Sequence, residues 1–375
     1  MMQNFLKSTI TMNSIIRNAS NGVIINSIGR KKVITLDRPK ALNALNLEMV
    51  REIYPQMKEW NTTSPASLVI IKGQGEKAFC AGGDVVSVTK SAKSNGDIHK
   101  LFFKEEYQLN NLISKCKMPY VALIDGITMG GGCGLSINGK FRVSTERTLL
   151  AMPETALGLF PDVGGSYFLS RLSHNLGMYL ALTGYRLKGL DVFFSGMATH
   201  YIESKDIDNV EKELLSLKDE ECNDSTVDKV LKEFMPKEAH DKSNFSLTPV
   251  IGKIDSLFDA ETYEGILKNL ENDKSDWSAA QLKTLSTMSP TSLKITFEQL
   301  KRGKKMGHSD VFPMEYRLSQ RFMEDFDFHE GCRAILIDKD RNPKWKPSNT
   351  NEVTDETIKK YFSPLPEKDE LKLEF

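Results

Sequence analysis

The chain has 375 residues, and Lys plus Arg equal Asp plus Glu at 50 each, so no net charge draws it to nucleic acid or to a membrane surface. A chain of this length forms one large domain or two smaller ones and buries a sizeable core. The five cysteines (Cys80, Cys116, Cys133, Cys222, Cys332) are scattered without a CxxC pair, which argues against a disulfide framework or a zinc site, and no apolar run approaches the roughly 18–20 residues that span a bilayer.

Residues 1–36 hold no acid, but they carry Lys7, Arg17, Arg30, Lys31 and Lys32 among many Ser, Thr and Asn residues. Phe5, Leu6, Ile10, Met12, Ile15 and Ile16 can share one face of a helix. A mitochondrial transit peptide is therefore expected over residues 1–21; the competing reading is a disordered start. Val23 to Ile28 and Lys32 to Asp37 read as a hairpin around Gly29-Arg30. Leu47 to Trp60 reads as a helix capped by Asn46 and kinked at Pro55. A strand Leu68 to Lys72, a helix Ile98 to Ser114, a strand Tyr120 to Ile124 and a helix from about Gly132 follow. Phe141 to Ser144 and Thr148 to Ala151 read as short strands. Strand–helix alternation of this kind predicts α/β layering.

Beyond Gly196 the pattern turns helical. Asp206 to Glu221 is a charge run expected on a solvated face. Helices are predicted over Thr262 to Leu270, Trp277 to Ser286, Ser292 to Lys304, Pro313 to Asp325 and Glu330 to Ile337. The expected organisation is a core over 22–195, a helical region over 196–345 packed on it, and a polar tail over 346–375.

Two glycine-rich loops carry the chemistry. Lys77-Ala-Phe-Cys-Ala-Gly-Gly-Asp84 follows the Leu68 strand, and Gly82 and Gly83 free the backbone before a helix opened by Asp84. Ile127-Thr-Met-Gly-Gly-Gly-Cys-Gly-Leu135 follows the Tyr120 strand. Glycines there let backbone N–H groups approach a ligand closely. If the Gly83 and Gly131 amides converge, they make a two-donor hole for an oxyanion. Glu154 and Asp162 follow in turn-rich surroundings punctuated by Pro153, Gly158, Pro161, Gly164 and Gly165. Two carboxylates beside backbone donors suit proton or water movement. Glu106 falls on one helical face with Phe102 and Leu109, an acid on an apolar stripe, whereas Glu105 reads as solvent-facing. For Glu106 a structural ion pair with an Arg weighs equally with a role at the site.

Other patterns are weaker. Gly73-Gln-Gly-Glu-Lys-Ala78 fits a dinucleotide fingerprint but lacks the following helix. Ser136 misses a nucleophile elbow by one residue and reads as packed in a helix. The six histidines show no ligand spacing. Cys80 and Cys133 read as small buried packing residues.

These residues carry a resemblance. Ile34-Thr-Leu-Asp-Arg-Pro-Lys-Ala-Leu-Asn-Ala-Leu45, Ala78-Phe-Cys-Ala-Gly-Gly-Asp84, Phe103-Lys-Glu-Glu-Tyr107, Met129-Gly-Gly-Gly132, Met152-Pro-Glu-Thr155, Phe160-Pro-Asp-Val-Gly-Gly165 and Gly331-Cys-Arg-Ala-Ile-Leu-Ile-Asp-Lys-Asp340 resemble the crotonase (enoyl-CoA hydratase/isomerase) superfamily. Within it the chain looks like the 3-hydroxyisobutyryl-CoA hydrolase branch, from about Gly22 to about Trp345. The resemblance implies a spiral of ββα repeats and a short-chain acyl-CoA substrate from valine breakdown, with 3-hydroxypropionyl-CoA as a second. It implies no cofactor beyond the CoA of the substrate, a mitochondrial address, and leaves a homo-oligomer open. It places the thioester carbonyl between the Gly83 and Gly131 amides, with Glu154 as nucleophile or general base, Asp162 positioning water or the substrate hydroxyl, and Glu106 touching substrate. Arg38, Lys40 and Lys77 are candidates for the CoA phosphates. Hydratases of this fold use a first glutamate just after the glycine triplet; Gly134 stands there, which opposes the hydratase reading. A non-catalytic ribosome-associated scaffold is the other alternative, opposed by neutral charge and by the Glu154 and Asp162 pair.

Overall fold

A computed structural model describes residues 18–93 and 97–375; residues 1–17, most of the expected transit peptide, lie outside the described residues. Strand β1 (Asn18–Ser20) pairs antiparallel with β2 (Val23–Ile28), and β2 forms the expected hairpin with β3 (Lys31–Leu36). From β3 onward a parallel ladder runs through β4 (Leu68–Gly73), β6 (Tyr120–Ile124), β8 (Phe141–Ser144) and β11 (His200–Tyr201). Parallel strands covered on both faces read as unbroken apolar runs, and Tyr120 to Ile124 is buried throughout.

The two faces divide by the two-residue period of a strand. Val69, Ile71, Ala122 and Ile124 join the main core, with α1 (Leu47–Asn61) and α3 (Ile98–Ser114). Leu68, Ile70, Val121 and Leu123 turn to the other face, against Val210, Leu214, Val227 and Leu231. The charge run therefore has a solvated side, but its helix Ile207–Ser216 also buries an apolar stripe on the sheet. The sheet crosses the expected boundary at 195, since β11 lies within the stretch assigned to the helical region.

A second sheet contains β5 (Ala78–Cys80), β7 (Ile127–Met129) and β9 (Leu149–Ala151) in parallel, with β10 (Leu187–Lys188) antiparallel at its edge. Each consecutive pair, β4/β5, β6/β7 and β8/β9, sends its first strand to the large sheet and its second to the small one. The first two pairs are followed by α2 (Val85–Lys93), then α3, and by α4 (Gly131–Ile137). That is the expected ββα spiral.

Asn46 caps α1 through Met49 N, and the helix continues past Pro55. The C-terminal helices fall at Tyr263–Asp273, Asp276–Leu285, Pro290–Gly303 and Val311–Glu324, close to their predicted spans. The last expected helix differs: an α-helix Phe326–Cys332 passes into a π-turn over Arg333–Ile337. The expected polar tail also needs correction. It contains a helix Asp355–Phe362 with Tyr361 and Phe362 buried, and Leu365 and Leu371 join the main core. Its end is tied to α3, where Gln108 Nε2 donates to Lys372 O at 2.6 Å and Asn111 Nδ2 to Phe375 O at 2.8 Å.

Candidate active site

Strands β5, β7 and β9 are parallel neighbours, so their C-terminal ends lie along one edge of the small sheet. The turn after β5 carries Gly82 and Gly83, the turn after β7 carries Gly130 and Gly131, and the turn after β9 carries Glu154. Topology thus gathers segments far apart in sequence at the carboxyl ends of parallel strands, where α/β folds place ligands. The glycines are there because nothing larger fits. A Cβ on Gly131 would stand 2.7 Å from Glu106 Oε1 and 3.3 Å from Gly83 N, and one on Gly130 would stand 2.9 Å from Glu154 Oε1. The two candidate amides are neighbours, flanked by two carboxyls. Gly131 opens α4, where the first N–H groups have no partner within the helix.

Asp162 completes the group. Tyr107, next to Glu106 on α3, donates its hydroxyl to Asp162 Oδ2 at 2.8 Å. Beyond Asp162, Val163 and Gly164 take left-handed backbone conformations at φ 53° and 93°. The turn is held by Glu315, whose carboxylate accepts from Gly164 N at 2.8 Å and Ser166 N at 2.9 Å. All five candidates, Gly83, Glu106, Gly131, Glu154 and Asp162, line one cavity of about 650 Å³.

Glu106, Glu154 and Asp162 are 2%, 5% and 5% exposed, so water does little to stabilise their charges. Glu106 Oε1 and Glu154 Oε2 are buried without a hydrogen-bond partner among the described residues. Burial, then the neighbouring Asp162 and Glu154, holds the Glu106 carboxyl well above its ordinary range. Burial and Asp162 do the same to Glu154. Burial lifts Asp162 to about 7, opposed by the Tyr107 hydroxyl, which favours the ionised form. Carboxyls tuned toward neutrality in a cavity are suited to proton transfer. Tyr107→Phe removes the bond that holds Asp162 down, so its carboxyl rises further. The acid limb of the pH–rate profile is expected to move to higher pH; an unmoved limb would show that Asp162 ionisation does not govern turnover.

Residues 31–362 match the family model described as enoyl-CoA hydratase/isomerase. The chain belongs to that family. It is 55% identical over 350 residues to a Xenopus laevis protein named 3-hydroxyisobutyryl-CoA hydrolase, mitochondrial, covering 93% of this chain and 90% of that one. The human protein of the same name is 51% identical over 348 residues, covering 92% and 90%. Among solved structures, a carnitinyl-CoA dehydratase from Mycobacterium thermoresistibile is 34% identical with a TM-score of 0.86, covering 95% of this chain and 99% of that one. An enoyl-CoA hydratase from Rhodobacter sphaeroides 2.4.1 is 33% identical with a TM-score of 0.83, covering 94% and 100%.

Within this enoyl-CoA hydratase/isomerase fold, Gly134 faces inward with no room for a side chain. A Cβ there would lie 2.7 Å from Val163 Cβ and 2.9 Å from Asn110 Oδ1. The weaker candidates resolve simply. Gly73 leads through a turn to β5, without a helix for a dinucleotide fingerprint. Ser136 is buried and donates to Gly132 O at 2.8 Å. Cys80 and Cys133 are buried. No group of His, Cys, Asp or Glu among the described residues is arranged for a metal.

Among the described residues Glu106 has no Arg partner, which opposes the ion-pair reading; its neighbour Glu105 takes that role, accepting from Arg51 at 2.7 and 2.8 Å. Arg38 does not enter the cavity. It donates to Ala44 O at 2.6 Å and pairs with Asp84 at 3.1 Å, while Lys40 and Lys77 are exposed and away from the lining. The cations on the lining are Arg186 and Arg341, both exposed and without an ion-pair partner among the described residues, and sequence reasoning did not single them out. Arg341 offered one faint signal, its place just beyond the family-like run ending at Asp340. Tyr107 was likewise missed as a partner of Asp162.

Proposed function

We propose that this chain hydrolyses the thioester of 3-hydroxyisobutyryl-CoA, and of 3-hydroxypropionyl-CoA, to the free acid and CoA, as a mitochondrial step of valine breakdown. The names of relatives over half identical across nine-tenths of the chain support the substrate and the compartment. The acid-poor, basic residues 1–36 agree with import. The observation that carries the chemistry is Glu154, buried with an unpartnered Oε2 beside the adjoining Gly83 and Gly131 amides.

The thioester oxygen sits between those amides, which hold the negative charge of the tetrahedral intermediate; one such donor is worth about 2.7–4 kcal/mol of barrier. Glu154 attacks the carbonyl carbon to form an anhydride that water then opens, or it takes a proton from the water that attacks. Either way the C–S bond breaks and CoA leaves as the thiolate. Asp162 orients the water or the substrate hydroxyl, and Glu106 contacts the acyl group from α3. The carbonyl chemistry asks for nothing beyond CoA itself.

The test is release of free CoA from 3-hydroxyisobutyryl-CoA, read with a thiol reagent, beside hydration of crotonyl-CoA. CoA release without hydration is expected; hydration without release would overturn the reading. Arg186 and Arg341 stand at the cavity mouth where the phosphates of CoA would pass. Arg341→Glu is expected to raise KM roughly tenfold, about 1.4 kcal/mol, and to leave kcat near its original value. A kcat loss at unchanged KM would place Arg341 elsewhere in the reaction.

A further inference from the structure

A second cavity, of about 450 Å³, opens behind the catalytic loops and shares no lining residue with the first. It lies between the C-terminal ends of α3 and α4, strand β8 and the segment around His308. Its charged lining is one-signed: Lys115, Arg142 and Arg171, with His308 and no Asp or Glu. In a chain with as many acids as bases this is a local excess.

None of the three cations reaches a carboxylate among the described residues. Arg142 spends its donors on carbonyls, those of Met197 at 3.0 Å, Gly139 at 3.1 Å and Gly196 at 3.4 Å. Arg171 lies 3.7 Å over the Tyr167 ring and donates to Gly303 O at 3.0 Å and Met306 O at 2.7 Å. Lys115 is exposed, and its ammonium has no hydrogen-bond or ion-pair partner among the described residues. The field of this arrangement is felt at His308. Burial, helped by Lys115 and Arg171, pulls His308 down to about 4, and burial alone pulls Arg142 down to about 10.

His308 is fixed in the wall. Asn138 Nδ2 donates to Gly134 O at 2.8 Å and Val163 O at 3.0 Å, so its Oδ1 is the acceptor facing His308 Nε2 at 2.9 Å. His308 Nδ1 is buried with no hydrogen-bond partner among the described residues. The remaining wall is apolar, from Ile137, Phe168, Leu172 and Met197. Lys115 and Arg171 are exposed and Arg142 is half-buried, so their shared positive field opens onto the cavity, and an anion supplied from outside meets it. Apolar walls beside the cations favour an anion with a hydrocarbon body over a bare, fully hydrated one.

We infer that this cavity is a binding site for a small organic carboxylate, its charge met by Lys115, Arg142 and Arg171 and its apolar body by Ile137, Phe168, Leu172 and Met197. The site is distinct from the acyl-CoA cavity, and nothing in the hydrolase reading requires it.

Calorimetric titration of the full chain with sodium isobutyrate, at ionic strength matched with chloride, tests this. Saturable binding is expected, weakened at least tenfold by Lys115→Glu and untouched by Arg341→Glu at the mouth of the other cavity. Lys115 is exposed and makes no contact that the fold needs, so its replacement leaves a folded protein. Absence of saturable binding, or binding indifferent to Lys115→Glu, would overturn the proposal. So would loss on Arg341→Glu instead, or inorganic phosphate binding more tightly than isobutyrate.

Discussion

Glu154→Gln is expected to lower CoA release by roughly 10²–10⁴-fold, the range supplied by a positioned acid–base group, or further if Glu154 is the nucleophile. The amide keeps the shape of the side chain but can neither attack a carbonyl nor take a proton. The same change should stabilise the protein. Burial and Asp162 hold the Glu154 carboxyl well above its ordinary range, so the folded state binds its proton more tightly than the unfolded state does. The unfolded group ionises freely as pH rises past the usual carboxylate range, while the folded group resists, and stability falls across that window. A neutral amide is exempt. Glu154→Gln should therefore melt above the unsubstituted protein at pH 8, with the gap closing toward pH 4. Equal melting at both pH values would show that Glu154 is not carrying a burial penalty, and retained turnover would remove it from the chemistry. Loss of function with gain of stability is the signature of a site whose groups are held in an unfavourable state for use.

What the sequence revealed of this site follows from which constraints are local. The glycine pairs were legible because a close backbone approach demands glycine whatever the rest of the chain does. The bounds of α3 were legible because seventeen residues with a sustained apolar face leave little freedom. Strands β5 and β7 were not; three residues each are too few to show a period, although they are what align the turns that carry the candidate residues. The Tyr107–Asp162 bond joins residues 55 apart and depends wholly on tertiary packing. Composition misled at residues 346–375, where a polar average conceals Val353, Tyr361, Phe362, Leu365 and Leu371, the buried apolar side chains of the segment. Arg38 misled for a related reason: a cation near a glycine loop looks available for phosphate until Asp84 and Ala44 are seen to hold it.

The helical C-terminal region is expected to be part of the catalytic apparatus, and Gly331→Val is the substitution that shows it. The helix Phe326–Cys332 lies directly on the turn that presents Glu154. A Cβ on Gly331 would stand 2.1 Å from Leu157 O, and one on Gly158, which already sits at φ 72°, would stand 2.3 Å from Asp327 O. Two backbones meet there with no side chain between them. The contact is stitched by Ser289, whose N–H donates to Thr155 O at 3.1 Å and whose hydroxyl donates to Asp327 Oδ2 at 2.6 Å. A valine at 331 has no flexible neighbour to displace, only the carbonyl of the turn that presents Glu154, so helix and turn must separate. Overpacking of this kind costs about 1–3 kcal/mol of stability, occasionally more. The larger effect is on turnover, since a shift of about 1 Å in a reacting group can cost roughly 10²-fold. The decisive measurement is kcat at a temperature where the variant is still folded by circular dichroism. Gly252→Val is the control, because a Cβ there meets nothing within 4 Å and only helix propensity changes. A folded Gly331→Val protein with full kcat would mean that the turn keeps Glu154 in place by its own hydrogen bonds, and that the C-terminal helices serve stability alone.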